Sequence, residues 1–283
     1  MLLDRKVKVQ PFVGLSPKIH MRKLVYLMTT SPVQPEILNP EARTGLIILC
    51  DHASNFVPEG FDNLGLSDDI FTQHVAYDLG AEAVTRKMCE LMGGAAVLAP
   101  VSRLLIDCNR EPDSDTLVPR VSDGIMVPAN QDLPASAIEA RKRDYYTPFH
   151  EACSDLVEAH LDEGIVPLVV GMHSFTPEMG GEKRPWHAGF LWNKDPRLAQ
   201  ALIGLMERET DLVVGDNQPY TGRHLYYTMQ RHGADHGLPQ TTIEIRQDLL
   251  GKASMVDEWA ALMADLLDEC MDREDLTQRK YYP

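Results

Sequence analysis

The sequence predicts a single α/β domain built on a parallel sheet, and three observations point there. Two short apolar runs, residues 45–50 and 165–172, show no polar alternation, the pattern of strands covered on both faces. Each run leads into a histidine, His52 after the first and His173 at the end of the second. Strand-like and helix-like segments alternate along the chain, with no repeat, low-complexity tract or Gly/Ser linker between them. Ligands of open α/β sheets bind beyond the carboxyl ends of the strands, so both imidazoles are expected on one functional rim.

The elements follow in order. Residues 1–40 read as a loosely ordered N-terminal arm and 41–283 as the domain. The arm lacks the long apolar core and cleavage site of a signal peptide, and Met28 offers an alternative start. After His52 a loop holding Pro58 runs to Gly65, and Ser67 with Asp68 and Asp69 marks a helix start. A long helix is expected over 78–92, stopped by Gly93-Gly94. Short strands follow at 95–99 and 104–108, then a loop rich in Asp, Pro and Ser to about 134. Residues 135–162 form a helix with an irregularity at Pro148. Beyond the second histidine strand lie a strand at 188–193, a helix at 196–209 capped by Asp195, an extended piece at 212–215 and a turn at 217–222. Residues 241–246 alternate as a strand, and 253–271 form the last helix.

Bulk properties narrow the function. A chain of 283 residues with 44% hydrophobic content buries a sizeable core. The net charge of −15 argues against nucleic-acid and anionic-membrane partners. No apolar stretch is long enough to span a bilayer. Cys50, Cys89, Cys108, Cys153 and Cys270 form an odd set without a CxxC pair, which disfavours both a disulfide framework and a cysteine zinc site. They read as buried thiols of a cytoplasmic protein.

His52 and His173 anchor the candidate chemistry. Taken singly, each is a histidine satisfied by hydrogen bonds at a strand end; as a pair in the same setting they suggest a metal site. Catalytic zinc takes three His or Asp/Glu ligands and keeps one position open. Asp78 is the first candidate carboxylate and Glu59 the second, with Asp51 and His74 as partners that orient an imidazole. Thr242, Glu244 and Arg246 share one face of their strand, where a carboxylate serves as a general base or, alternatively, simply meets solvent. Arg103 and Asn109-Arg110 flank the 104–108 run; arginine forks bind carboxylates, although surface arginines commonly form ion pairs of little worth. Tyr220 and Thr221 sit on a rim loop. His232 and His236 read as loop histidines lining the pocket rather than a second metal site, since Gly233 and Gly237 oppose a helix. Gly-x-Gly-x-x-Gly, P-loop and Gly-x-Ser-x-Gly patterns are absent.

Several of these segments, in their joint order, resemble the N-formylglutamate amidohydrolase family. They are Asp51-His52-Ala53-Ser54 with Val57-Pro58, residues 74–80, 102–110, 171–177 and 216–220, and Ile243-Glu244-Ile245-Arg246-Gln247-Asp248. The resemblance spans about residues 46–271. It implies kinship with the zinc carboxypeptidase and aspartoacylase group. The implied fold is a phosphorylase/hydrolase-like three-layer sandwich, with a mixed, mostly parallel central sheet and helices on both faces. The implied chemistry is hydrolysis of the C–N amide of an N-formyl or other N-acyl amino acid such as N-formylglutamate, a step of histidine degradation. The implied cofactor is one Zn²⁺ or other divalent metal per chain, and the implied partner a small anionic substrate.

By the same resemblance His52 and His173 are metal ligands and Glu244 the general base. Arg103 polarises the scissile carbonyl. Asn109 and Arg110 hold the substrate carboxylate, with Tyr220 beside them. Related peptidases place a glutamate three residues after the first histidine, where this chain has Asn55. Asp78 is therefore taken as third ligand, ahead of Glu59. The chain also departs from better-known members in having Asp51 before His52 and Ala53-Ser54 after it. Two alternatives stay open: hydrolysis of a different small N-acyl amino acid or amide, and non-catalytic binding of a small molecule on the same fold.

Overall fold

Seven strands make one mixed sheet in the computed structural model, which describes residues 32–283. The arm up to residue 31, with Met28, lies outside the described residues. The strands are β1 (Glu36–Leu38), β2 (Leu46–Cys50), β3 (Ala95–Leu98), β4 (Leu168–Phe175), β5 (Ala188–Leu191), β6 (Val214–Asp216) and β7 (Gln240–Arg246). Their order across the sheet is β1-β3-β2-β4-β7-β5-β6. The centre, β3-β2-β4-β7, is parallel throughout. Antiparallel pairings join β1 to β3 and β5 to β7, and β6 runs parallel to β5. The last strand of the chain thus sits in the middle of the sheet. Two small hairpins, Val121–Ser122 with Ile125–Met126 and Glu178–Met179 with Glu182–Lys183, stand apart from it.

All of β2 and β4 is buried, which explains why their sequences do not alternate. Leu46, Ile48 and Cys50 face one core, shared with the helices α1 (Ala81–Met92), α4 (Arg197–Glu209) and α6 (Ala253–Met271). Ile47 and Leu49 face a second core, shared with α3 (Thr147–Asp162). Helices therefore cover both faces, and the three-layer, mostly parallel α/β architecture expected from the sequence is the one observed.

Gly80 enters α1 with φ +83°, and a β-carbon there would lie 2.5 Å from Leu250 Cβ. Gly189, paired across β5 and β7 with Glu244, would place a β-carbon 1.8 Å from the carbonyl oxygen of Gln218. Only glycine lets the loop at 217–220 lie against the sheet there.

Four expectations need revision. Residues 36–38, assigned to the loose arm, add an edge strand to β3. The 104–108 run is not a strand but a buried loop. Its backbone finds partners off the sheet: Leu105 N–H donates to Ser102 O, and Asp107 N–H to Leu117 O. The helix start at Ser67 continues only as a 3₁₀ turn, Asp68–Thr72. The long helix at 135–162 is split into α2 (Ala135–Arg141), a π turn (Lys142–Tyr146) and α3. Among the described residues no helix is long and apolar enough to cross a membrane.

Candidate functional site

The parallel centre of the sheet delivers the site. Asp51 and His52 follow the carboxyl end of β2, His173 lies near that end of β4, and Glu244 is its register partner on β7. Asp78 comes from the turn before α1, where its N–H donates to the carbonyl of His52 at 3.0 Å. The buried 102–110 loop adds Arg103, Asp107, Asn109 and Arg110. The eight residues to which the family resemblance gives roles, His52, Asp78, Arg103, Asn109, Arg110, His173, Tyr220 and Glu244, line one cavity of about 170 Å³.

The two imidazoles meet edge to face, with ring centroids 5.0 Å apart. His52 Nε2 donates to Asp107 Oδ1 at 2.8 Å, and His173 Nδ1 donates to Asp78 Oδ2 at 2.8 Å. A carboxylate accepts only, so in the neutral imidazole each contact fixes a tautomer and leaves the other ring nitrogen bare. Those bare atoms, His52 Nδ1 and His173 Nε2, lie 3.7 and 3.2 Å from Asp51 Oδ1. The other oxygen of Asp51 is held by Thr228 Oγ1 at 2.6 Å, on the short helix α5 (Tyr227–His232). Asp51 Oδ1 and His52 Nδ1 are buried without a hydrogen-bond partner. Asp51, His52 and His173 each offer one donor atom, all within 4.8 Å of one another, a spacing that suits a cation.

The surrounding charges act strongly on these groups. Burial opposes the charged form of His173, but Asp51 and Asp78 lift its pKa to about 10. His52 is raised likewise: burial and Arg103 oppose, and Asp107, Asp51 and Asp78 prevail. Asp78 is held well below the usual carboxylate range. Burial works against its ionisation, and Arg103, His52 and the His173 hydrogen bond overcome it. Arg103 forms its ion pair with Asp78 through Nη2, while its Nε is buried without a partner. Glu244 behaves in the opposite way. Burial, reinforced by Asp78, pushes its pKa up to about 7 despite His173, His52 and Arg103, and its Oε2 is unpartnered.

The cavity wall is polar. Arg110 is held by Asp107 Oδ2 at 3.4 Å, by Thr116 Oγ1 and by the carbonyl of Asn109. Asn109 Oδ1 accepts the N–H of Thr228. Tyr220 takes a hydrogen bond from Arg184 Nη1 at 3.0 Å, and the guanidinium lies over its ring. Burial and the nearby Glu244 raise the Tyr220 pKa, so its phenol keeps its proton.

Sequence reasoning missed Asp107, Thr228 and Arg184. Asp107 was passed over as part of an apolar run, and the other two act through contacts between distant segments that no local pattern announces. Glu59, the second candidate carboxylate, is exposed on a 3₁₀ turn away from the cavity. His74 lines the cavity but bonds outward to Asp123. His232 is not a pocket residue: it is fully buried, with Nε2 2.8 Å from His150 Nδ1. A six-residue helix forms there despite Gly233, which closes it as a C-cap. His236 lies on the following 3₁₀ turn.

Comparison with known proteins adds the following. Residues 44–251 match the family model of N-formylglutamate amidohydrolase. The solved structure of the gene product Atu2144 from Agrobacterium tumefaciens is 33% identical. It covers 84% of this chain and 94% of that one, with a TM-score of 0.81. N-formylglutamate amidohydrolase from Ralstonia eutropha JMP134 superposes with a TM-score of 0.64 at 18% identity, over 83% of this chain and 97% of that one. A comparison with curated proteins gave no match.

Proposed function

The chain belongs to the N-formylglutamate amidohydrolase family, and on that premise we propose that it hydrolyses the amide bond of an N-formyl or other small N-acyl amino acid, of which N-formylglutamate is the type. The carrying observation is that Asp51, His52 and His173 each offer a donor atom within 4.8 Å of the others, and that both imidazoles line the same cavity as Glu244, whose Oε2 is unpartnered. Two imidazoles and a carboxylate are the donor set of a catalytic zinc site with an open position.

In this reading Asp51, His52 and His173 hold a divalent cation, Zn²⁺ by donor type. Asp78 and Asp107 then orient the two imidazoles from behind, a common arrangement around ligating histidines. The sequence-based roles of Asp51 and Asp78 are thereby exchanged. The free oxygen belongs to Asp51, whereas Asp78 is occupied by His173 and Arg103. When bound, such a cation supplies Lewis-acid chemistry, lowering the pKa of water and polarising a carbonyl.

The residues of the chain do the rest. Glu244 Oε2 accepts a proton from the attacking water and returns it to the departing amine, a role suited to a carboxyl that titrates near neutrality. The unpaired N–H of Arg103 donates to the oxygen on which charge develops. Arg110 and Asn109 bind the carboxylate of the substrate and, with the Tyr220 hydroxyl, fix its orientation. Water adds across one C–N bond, giving a carboxylic acid and an amine.

The test is amine release by the zinc-loaded protein from a panel of N-formyl, N-acetyl and longer N-acyl amino acids. Turnover of at least one member is expected, with a loss of several orders of magnitude in Glu244→Gln at unchanged zinc content. No turnover across the panel, or an active Glu244→Gln protein, defeats the assignment.

A further inference from the structure

The loop at 102–110 brings Arg103, Asp107, Asn109 and Arg110 to the site, yet it has no helix or strand of its own. Side chains from one neighbouring helical stretch hold it. Arg141 Nη1 donates to the carbonyl of Leu105 at 2.8 Å, His150 Nε2 to that of Cys108 at 3.0 Å, and the Tyr146 hydroxyl to that of Arg110 at 2.9 Å. All three side chains are buried. Arg141 also reaches Asn130 Oδ1 at 2.7 Å, and Asn130 Nδ2 donates to the carbonyl of Leu104. His150 is itself oriented. With Nε2–H spent on a carbonyl, its Nδ1 accepts from His232 Nε2.

A regular α-helix does not align these three donors. At 3.6 residues per turn, a step of five leaves side chains about 140° apart, and a step of four about 40°. Tyr146 and His150 are four apart, but Arg141 and Tyr146 are five. The π turn lies between that second pair, closed by the Thr147 N–H on the carbonyl of Lys142 five residues back. A wider turn absorbs the extra residue and returns Arg141 to the face of Tyr146 and His150. Pro148, which lacks an N–H, accounts for an irregularity in the helix. It does not account for three donors ending on carbonyls of a single loop.

We propose that the π turn is a positioning device: through it Arg141, Tyr146 and His150 act as positioning residues for the 102–110 loop, seating Asp107 behind His52 and Arg110 on the substrate wall. The inference rests on the amide-hydrolase reading of the site. Loss of alignment frees the Leu105 and Cys108 carbonyls, on either side of Asp107, and loosens the one side chain that fixes the His52 tautomer.

Inserting one alanine after Arg143 puts Arg141 and Tyr146 six apart, so that a single wide turn no longer brings them to one face; the Arg143 side chain is exposed and, among the described residues, pairs with the adjacent Asp144. In the insertion variant, amide hydrogen exchange over 103–110 is expected to rise at least tenfold, while β2, β4 and β7 keep their protection. Its kcat/KM on the preferred N-acyl amino acid is expected to fall at least tenfold. Arg143→Ala, which keeps the turn, should match the parent in both measurements. Exchange and kcat/KM within twofold of the parent in the insertion variant overturn the proposal. If that variant does not fold, Tyr146→Phe decides: a KM raised about fivefold with kcat held within twofold supports the grip on Arg110, and an unchanged KM overturns it. Absence of any turnover by the parent defeats the enzyme assignment instead, while exchange still judges the grip.

Discussion

Replacing Glu244 by Gln is expected to stabilise the metal-free protein at pH 8 and to lose that advantage near pH 4. Glu244 is 5% exposed, its Oε2 lacks a partner, and its pKa lies near 7 against an ordinary 4.5. The unfolded chain therefore releases this proton near pH 4.5 and the folded chain near pH 7. Between those values the folded state binds more protons, so stability falls as pH rises and stays lowered above 7. At 1.36 kcal/mol per pH unit, the displacement is worth about 3 kcal/mol. Gln carries no charge, but its buried amide N–H needs an acceptor, and an unpaired one costs about 1–3 kcal/mol. The net gain at pH 8 is about 0–2 kcal/mol, or up to roughly 6 °C in Tm for a chain of this size. Calorimetry in the presence of a chelator at pH 8, 6 and 4.5 measures it. A lower Tm for the variant at pH 8, or a difference that does not change with pH, refutes the reasoning.

Three further outcomes follow from the geometry. Asp51→Asn should abolish zinc binding in equilibrium dialysis, whereas Asp78→Asn should weaken it about 10–100-fold, the usual cost of losing an orienting carboxylate; the reverse order restores Asp78 as a ligand. Arg110→Lys should raise KM about tenfold with little change in kcat, because an ammonium cannot reproduce a bidentate fork; a fall in kcat alone would move Arg110 from binding to chemistry. Gly80→Ala should lower stability by about 2 kcal/mol or more, through left-handed strain of about 1–2 kcal/mol and the clash with Leu250; a thermal melt within 1 °C of the parent, on the order of a negligible ΔΔG, would contradict it.

Much of the fold was legible because burial on both faces writes itself into β2 and β4 as unbroken apolar runs ending at histidines. The 104–108 run carries the same signature and is a loop, since composition records burial but not which backbone partner satisfies it. The choice between Asp51 and Asp78 was not legible either. Both lie beside the imidazoles, and what separates them is Thr228 on one and Arg103 on the other, contacts across 177 and 25 residues of chain. His232 misled because a histidine followed by a glycine looks like a loop residue until its partner, His150, is placed. The π turn was visible only as a proline in a helix. The reason for its wider pitch lies in the carbonyls it faces.

The position of β7 bears on how the protein is made. A ribosome releases β5 and β6 before it releases the segment that must slot between β5 and β4. Until residue 246 has left the exit tunnel, the apolar margin of β4 is an unpaired template open to any extended chain nearby. Messages cut short before residue 240 would therefore yield products without Glu244 that are also prone to cluster, so intact translation and a working site depend on the same seven residues.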